Sequence, residues 1–70
     1  MRSLNDYYVF RVKHPTPEGM VETREPHYYE YLQYRYAEAR AKAIPGSILE
    51  GLVTGELGFW ERIDYDNEGG

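Results

Sequence analysis

One stretch of the chain, residues 26–44, repeats its apolar positions at helical spacing. On a helix of about 100° per residue these positions share one stripe, formed by Tyr28, Tyr29, Leu32, Tyr36, Ala39 and Ala43. Pro26 suits a first helical turn, where its missing N–H is not needed, and Pro45 would stop the helix after Ile44. The pattern therefore predicts a long amphipathic helix over residues 26–44.

A second interpretation divides the same stretch. It makes residues 27–34 a β-strand and leaves only residues 36–44 helical. The tyrosines favour it, because tyrosine has a high strand propensity. However, it would place aromatic rings on both faces of the strand, which requires a strand that is covered on both sides. We therefore take the long helix as the prediction.

The N-terminal apolar positions alternate instead of following a helical period. Within residues 6–13, Tyr8, Phe10 and Val12 fall on one face and the residues between them fall on the other. Such alternation is typical of a half-buried strand. Two prolines and a glycine in residues 14–19 would end this strand and reverse the chain.

Three further elements follow from shorter patterns. Residues 20–24 would return as a short second strand. Residues 47–54 fit either a short helical turn, because they begin with capping-box spacing, or a strand that leads into a hairpin turn. Residues 59–65 predict the last strand, and residues 66–70 predict a frayed tail.

These elements predict an α+β fold, a small antiparallel sheet of three to four strands with one long amphipathic helix packed across one face. The first and last strands would be neighbours. At 70 residues the chain is short enough to form one domain, 1–70. The predicted core draws on the helix and the strands and consists of Tyr8, Phe10, Val12, Leu32, Tyr36, Ile48, Leu49, Phe59 and Ile63.

The charge of the chain is concentrated at its C-terminal end. The formal net charge is −4, and residues 44–70 contain six acids but only one base, Arg62. An acidic balance argues against a surface that tracks phosphates, which depends on clustered lysine and arginine. It permits a basic partner. The eight tyrosines suit both a small core and a binding interface, because the ring packs while the hydroxyl stays in water.

The chain offers few groups for catalysis or metal binding. It has no cysteine, and Ser3 and Ser47 have no histidine nearby in a recognisable arrangement. His14 lies in the predicted turn, and His27 lies in the first turn of the predicted helix. His27 and Glu30, with Glu25 nearby, are a weak pattern for a metal site, because only one of the three is a histidine. We therefore predict a protein that is not an enzyme and that holds no metal or cofactor.

Two surface features predict contact with another protein. Tyr31, Tyr34 and Glu38 lie one turn apart on the predicted helix, away from the apolar stripe, and exposed aromatic side chains often dominate interfaces. Trp60 lies among the carboxylates of the C-terminal strand and tail, which suits a basic groove on a partner. The predicted partner-binding residues are Tyr31, Tyr34, Glu38, Trp60, Glu61, Asp64 and Asp66.

These features favour a small binding module that inhibits or modulates a larger protein. In type, the chain resembles the small inhibitors that phages and mobile elements encode against host or defence machinery, although no motif places it in a family. The expected partner is a larger protein with a basic groove, such as one that handles nucleic acids. The carboxylates would then stand where phosphates stand in the natural ligand.

Two other functions remain open. The tyrosines could stack on the bases of a single-stranded nucleic acid, with its backbone on Arg11, Lys13, Arg24 and Arg35, although the net charge argues against this. Alternatively, the chain could self-associate, for example as a homodimer that buries its tyrosines between copies. No apolar run has the length of a membrane span, so we expect a cytoplasmic protein without membrane contact.

Overall fold

The computed structural model of the protein describes residues 3–55 and 57–65. One antiparallel sheet contains five strands, β1 (Tyr7–Thr16), β2 (Gly19–Glu22), β3 (Tyr29–Glu30), β4 (Ile48–Val53) and β5 (Phe59–Ile63). The helix α1 (Tyr34–Ala43) directly follows the 3₁₀ turn Tyr31–Gln33, and a second 3₁₀ turn, Leu4–Asp6, precedes β1. The predicted α+β class is confirmed, with one strand more than expected.

Strand β1 is the one on which most of the sheet is built. β4 pairs along one edge of β1, from Tyr7 opposite Val53 to Lys13 opposite Ile48. β2 and β3 pair with the other edge of β1. β5 pairs with β4, which gives the order β2-β1-β4-β5. The prediction that the first and last strands are neighbours is therefore wrong, because β4 lies between them.

Strand β1 continues further than the sequence predicts, through Pro15 to Thr16. Its end pairs with β2 in a tight hairpin, in which Thr16 lies opposite Gly19. Pro15 is tolerated because β4 pairs with β1 only as far as Lys13, so the proline has a neighbouring strand on one edge alone. Gly19 has a φ of 118°, which favours glycine. The predicted reversal is confirmed, and the predicted break at residue 14 is wrong.

The ambiguous segment after the helix is a strand. Along β4, Leu49, Gly51 and Val53 are buried, and the alternate residues are only partly buried. Strict alternation of this kind is typical of a strand with one face against the core. Strands β1 and β5 pair with its two edges, which stabilises the extended backbone over a helical turn.

The predicted long helix is wrong over its first half. Residues 26–28 form a loop, Tyr29 and Glu30 form β3, and α1 begins only at Tyr34. β2 covers only the far end of β1, so the backbone of Val9 and Phe10 needs another partner at that edge. β3 supplies it by pairing with both residues. This tertiary pairing overrides the helical spacing. The interpretation that divides residues 27–44 into a strand and a shorter helix was closer to the structure.

The helix also packs on a different face from the one that its apolar stripe predicts. Ala37 and Ala41 are buried, and Tyr34 packs partly buried beside them. Within the predicted stripe, Leu32 is 89% exposed and Tyr36 is 70% exposed. The small side chains of Ala37 and Ala41 bring the helix close to the sheet, whereas Leu32 and Tyr36 face away from it.

Within β1, the core that forms differs from the predicted core through a register shift. The pairing with β4 is irregular between Tyr7 and Phe10. Such a bulge changes which residues face the core, so Tyr7 is buried and Tyr8 is 61% exposed. The buried core consists of Tyr7, Phe10, Val12, Tyr29, Ala37, Ala41, Leu49 and Val53.

Three of the predicted core residues are confirmed, namely Phe10, Val12 and Leu49. Ile63 is partly buried against the core, and Ile48 is also only partly buried. The prediction is wrong for the others, because the structure exposes Tyr8, Leu32, Tyr36 and Phe59.

Candidate protein-binding groove

Four of the predicted partner-binding residues line a single groove between α1 and β5. Tyr34 and Glu38 come from the helix, and Glu61 and Asp64 come from β5 and the residues after it. The groove has a volume of about 510 Å³. The remaining lining residues are Leu4, Tyr7, Arg62 and Ile63. We call this site the acidic groove.

The helical side of the acidic groove is held by packing against the core. Tyr34 and Glu38 lie one turn apart on α1. The Tyr34 ring meets the Phe10 ring edge-on, with 4.9 Å between the ring centroids. Because Phe10 is fully buried, this contact fixes where the Tyr34 ring lies.

The sheet side of the acidic groove depends on a glycine. Gly51 lies opposite Glu61 in the β4–β5 pair. The Tyr7 ring lies directly over Gly51, where an added Cβ would come within 2.5 Å of the ring. From this position the Tyr7 hydroxyl donates a hydrogen bond of 2.7 Å to Oε1 of Glu61. The missing side chain at residue 51 therefore lets a core tyrosine reach a groove carboxylate.

Three carboxylates line the acidic groove, those of Glu38, Glu61 and Asp64. Burial raises the pKa of Tyr34, and the negative charge of Glu38 together with a hydrogen bond to it raises that pKa further. Tyr34 is therefore held as a neutral hydrogen-bond donor to Glu38. Lys42 lies 4.0 Å from Glu38 at the edge of the site. The groove thus presents carboxylate acceptors beside tyrosine rings.

Tyr31 lies next to the acidic groove and does not line it. It belongs to an adjoining depression that shares Leu4 and Tyr34 with the groove and is completed by Leu32 and Arg35. The Tyr31 side chain is 49% exposed. The structure therefore places Tyr31 where a ligand that fills the groove could extend onto it.

Trp60 lies elsewhere, on the face of the sheet that α1 does not cover. Its ring stacks on that of Tyr28, with 5.7 Å between centroids and 16° between planes. The Arg11 guanidinium lies 3.9 Å from the centroid of the Trp60 ring. These contacts give Trp60 a packing role on the open face. Asp66, the seventh predicted residue, lies outside the described residues.

Charged side chains form a network around Arg11 on the same open face. Arg11 Nε donates a hydrogen bond of 2.7 Å to Glu50, and Lys13 Nζ lies 3.4 Å from the same Glu50 oxygen. Arg11 also lies 3.6 Å from Glu22. Two of the four cations that a nucleic-acid backbone would need are therefore already paired with carboxylates. This arrangement does not favour binding by phosphate contacts.

The network also sets the ionisation of Glu50. Burial by itself would raise the pKa of Glu50, but the hydrogen bond and positive charge of Arg11, aided by Lys13, outweigh it and lower the pKa. The charged form is thus favoured in the folded state. The resulting stability is present above the pKa of an unfolded glutamate and is lost as the pH falls through the lower pKa of folded Glu50.

We expect Glu50→Gln to lower the free energy of unfolding by about 1–3 kcal/mol at neutral pH, because it leaves Arg11 and Lys13 without their shared carboxylate. Urea denaturation followed by circular dichroism at several pH values measures this. The difference from the wild type should shrink as the pH falls below the usual range of glutamate. Glu18→Gln, in the exposed hairpin, is the matched control and should change little. A difference that does not depend on pH would contradict this account.

Sequence reasoning missed four lining residues, Leu4, Tyr7, Arg62 and Ile63. Leu4 lies in a 3₁₀ turn that no periodicity marks. Strict alternation placed Tyr7 on the outer face of its strand, because a bulge is invisible to a period of two. Only the glycine at residue 51 hinted at a close approach within the sheet.

Within residues 3–55 and 57–65, no group of three or more histidine, cysteine, aspartate or glutamate side chains is placed to hold a metal ion. None of the described helices combines the length and apolar character that a membrane crossing requires. Comparison with family models, with curated proteins and with solved structures found no match. The geometry of the chain is therefore the basis on which its function is proposed.

Proposed function

We propose that the protein is a non-enzymatic binding module that docks a basic segment of a larger protein in the acidic groove. The supporting observation is the assembly of the groove itself. Residues from α1 and from the end of β5, distant in the sequence, bring Glu38, Glu61 and Asp64 to one concave surface that tyrosines also line.

The chemistry of the groove suits an arginine or a lysine. Carboxylates accept charge-assisted hydrogen bonds from guanidinium and ammonium groups, and tyrosine rings contribute packing and cation–π contacts. Tyr7 and Tyr34 already donate to Glu61 and Glu38, so these two carboxylates are held in place before a ligand arrives. Such preorganisation lowers the entropic cost of binding.

The proposal extends to the kind of partner. Basic grooves are characteristic of proteins that handle nucleic acids, where lysine and arginine meet phosphates. A small acidic module that holds a basic segment of such a surface in its own acidic groove would compete with the nucleic acid and so inhibit or modulate the partner protein. The net charge of −4 supports this, because it attracts a basic surface at long range.

A peptide titration tests the proposed groove. The probe is a short synthetic peptide of alternating arginine and serine residues, added to ¹⁵N-labelled protein. We expect amide shifts to change around residues 34–38 and 61–64, and the affinity to fall as salt is raised. Asp64→Lys should slow association about tenfold, because it reverses a charge on the rim of the groove. The rate is measured by stopped-flow fluorescence.

Glu18→Lys supplies the matched control, since it makes the same change of net charge at the tip of the β1–β2 hairpin. It should slow association much less than Asp64→Lys. Equal effects of the two substitutions would show that only the overall charge matters, and an affinity that does not depend on salt would show that charge does not drive binding. Either result would refute binding in the groove.

A further inference from the structure

The outer face of α1 is apolar although it points away from the core. We call four residues the outer stripe, namely Leu32 from the preceding 3₁₀ turn and Tyr36, Ala39 and Ala43 from α1. All four are exposed, and they lie on the opposite side of the helix from the buried alanines. An exposed apolar patch of this kind is characteristic of an interaction site.

A groove runs beside the outer stripe. Tyr36, Ala39 and Ala43 form its helical wall, and Pro26 and Tyr29 lie across from them. Gln33 and Arg40 complete the lining, and the volume is about 440 Å³. Ala39 and Ala43 make this helical wall apolar, and the larger Tyr36 side chain lies beside them. Such a shape accepts apolar side chains from an element that lies along the helix.

The charges that border the outer stripe are positive. On the helix, Arg40 lies on one side of the stripe, and Arg35 and Lys42 lie on the other. Among the residues that the structure describes, neither Arg35 nor Arg40 takes part in an ion pair. Glu38, the only carboxylate on α1, belongs to the acidic groove. The outer stripe is thus an apolar surface with a basic border.

We infer that the outer stripe is a docking site for an acidic amphipathic helix of a second partner protein. Apolar side chains at i, i+3 or i+4 and i+7 of that helix would enter the groove, and its flanking carboxylates would meet Arg35 and Arg40. A second copy of this chain fits less well, because two stripes face to face would bring basic borders together. The choice of partner thus follows from charge complementarity.

This site is separate from the acidic groove. Tyr34 and Glu38 line the acidic groove, whereas Ala39 and Arg40 line the groove beside the outer stripe. Opposite sides of one short helix would therefore bind two partners of opposite charge. The protein would then connect a basic partner to an acidic one. Because the two sites share no lining residue, each can be tested while the other stays intact.

The test uses two synthetic helical peptides of about 18 residues, long enough to form a marginal helix. Both carry leucines at helical spacing. One carries glutamates beside the leucines, and the other carries lysines at the same positions. We expect the glutamate peptide to shift the amides of Tyr29 and of residues 39–43. The lysine peptide, which the acidic groove would bind, should leave those amides unchanged. Fluorescence anisotropy gives the affinities.

Variants of exposed residues sharpen the result. Ala39→Glu places a carboxylate in the centre of the stripe without disturbing the core, and Arg40→Glu reverses a border charge. Each should weaken binding of the glutamate peptide about tenfold or more. Ala39→Gln, which adds the same bulk without charge, should weaken it less. Thr54→Glu makes the same change of net charge as Ala39→Glu at an exposed position after β4, so it should leave the affinity nearly unchanged.

Four results would overturn the inference. The first is binding of both peptides at residues 39–43, and the second is binding of neither peptide there. The third is a dimer, detected by light scattering, that Ala39→Glu dissociates, since a second copy would then be the occupant. The fourth is binding to vesicles of anionic lipid without binding to the peptide, which would point to a membrane surface instead.

Discussion

Phe10→Ala will lower the free energy of unfolding by about 3–5 kcal/mol, the range for loss of a fully buried aromatic ring. Phe10 has no exposed surface and is the largest of the fully buried side chains. Its ring contacts those of Tyr7 and Tyr34, at centroid distances of 5.6 and 4.9 Å. Small domains lie at the low end of a typical stability of about 5–15 kcal/mol. The variant should therefore be largely unfolded under mild conditions.

Urea denaturation followed by circular dichroism and tyrosine fluorescence measures this loss. Phe59→Ala removes the same side chain from a position that is 52% exposed, and it should cost much less. Phe10→Leu, which retains most of the apolar volume, should fall between the two. If Phe10→Ala and Phe59→Ala lost the same stability, the core would not be centred on Phe10.

Gly51→Ala will destabilise the protein by about 1–3 kcal/mol, because it forces an extra methyl group into a filled site. The new Cβ would lie 2.5 Å from Cδ1 and 2.8 Å from Cγ of Tyr7, and 3.0 Å from Cδ1 of Ile63. The Tyr7 ring is buried and cannot give way freely. The substitution should also displace the Tyr7 hydroxyl from Glu61 and so alter the acidic groove.

Two measurements separate the effects of Gly51→Ala. Urea denaturation gives the loss of stability, and the amide shifts of Glu61 and Asp64 report the change in the groove. Gly58→Ala is the matched control, since its nearest neighbour, the Val53 carbonyl oxygen, is 3.1 Å away and the next atoms lie at 3.6 Å or beyond. It should cost less and leave the groove shifts unchanged. A neutral Gly51→Ala would show that Tyr7 does not pack over this residue.

The strands could be predicted from the sequence better than the helix. Alternation of apolar residues located β1 and β5 to within a few residues, because a half-buried strand leaves a period of two in the sequence. The same rule failed inside β1. A bulge between Tyr7 and Phe10 exchanges the faces of neighbouring residues, and nothing local marks its position.

The helix was predicted too long for a tertiary reason. Tyr29 and Glu30 pair with one edge of β1, and that edge exists only once the sheet has formed. The sequence around the two residues therefore does not show that they lie outside the helix. The apolar stripe was real as a pattern but was assigned to the wrong side. Ala37 and Ala41 pack against the sheet because they are small. A search for helical periodicity gives more weight to large apolar residues than to alanine, so it selected the other side of the helix.

The composition of the candidate groove could be predicted in part. Tyr34, Glu38, Glu61 and Asp64 were chosen for their charge and chemistry, and the structure places them along one groove. Trp60 was chosen for its acidic neighbours in the sequence. However, alternate residues of a strand point to opposite faces, so Trp60 lies on the other side of the sheet from Glu61.

The arrangement of three strands around β1 has a consequence for folding of the chain. The hairpin joins β1 to its next strand, β2, but residues 17–47 separate β1 from β4, which covers its other edge. Until β4 pairs, Phe10 and Val12 have no β4 residues to pack against. Pairing over so many intervening residues forms slowly. A folding chain is therefore most exposed to aggregation before β4 joins the sheet.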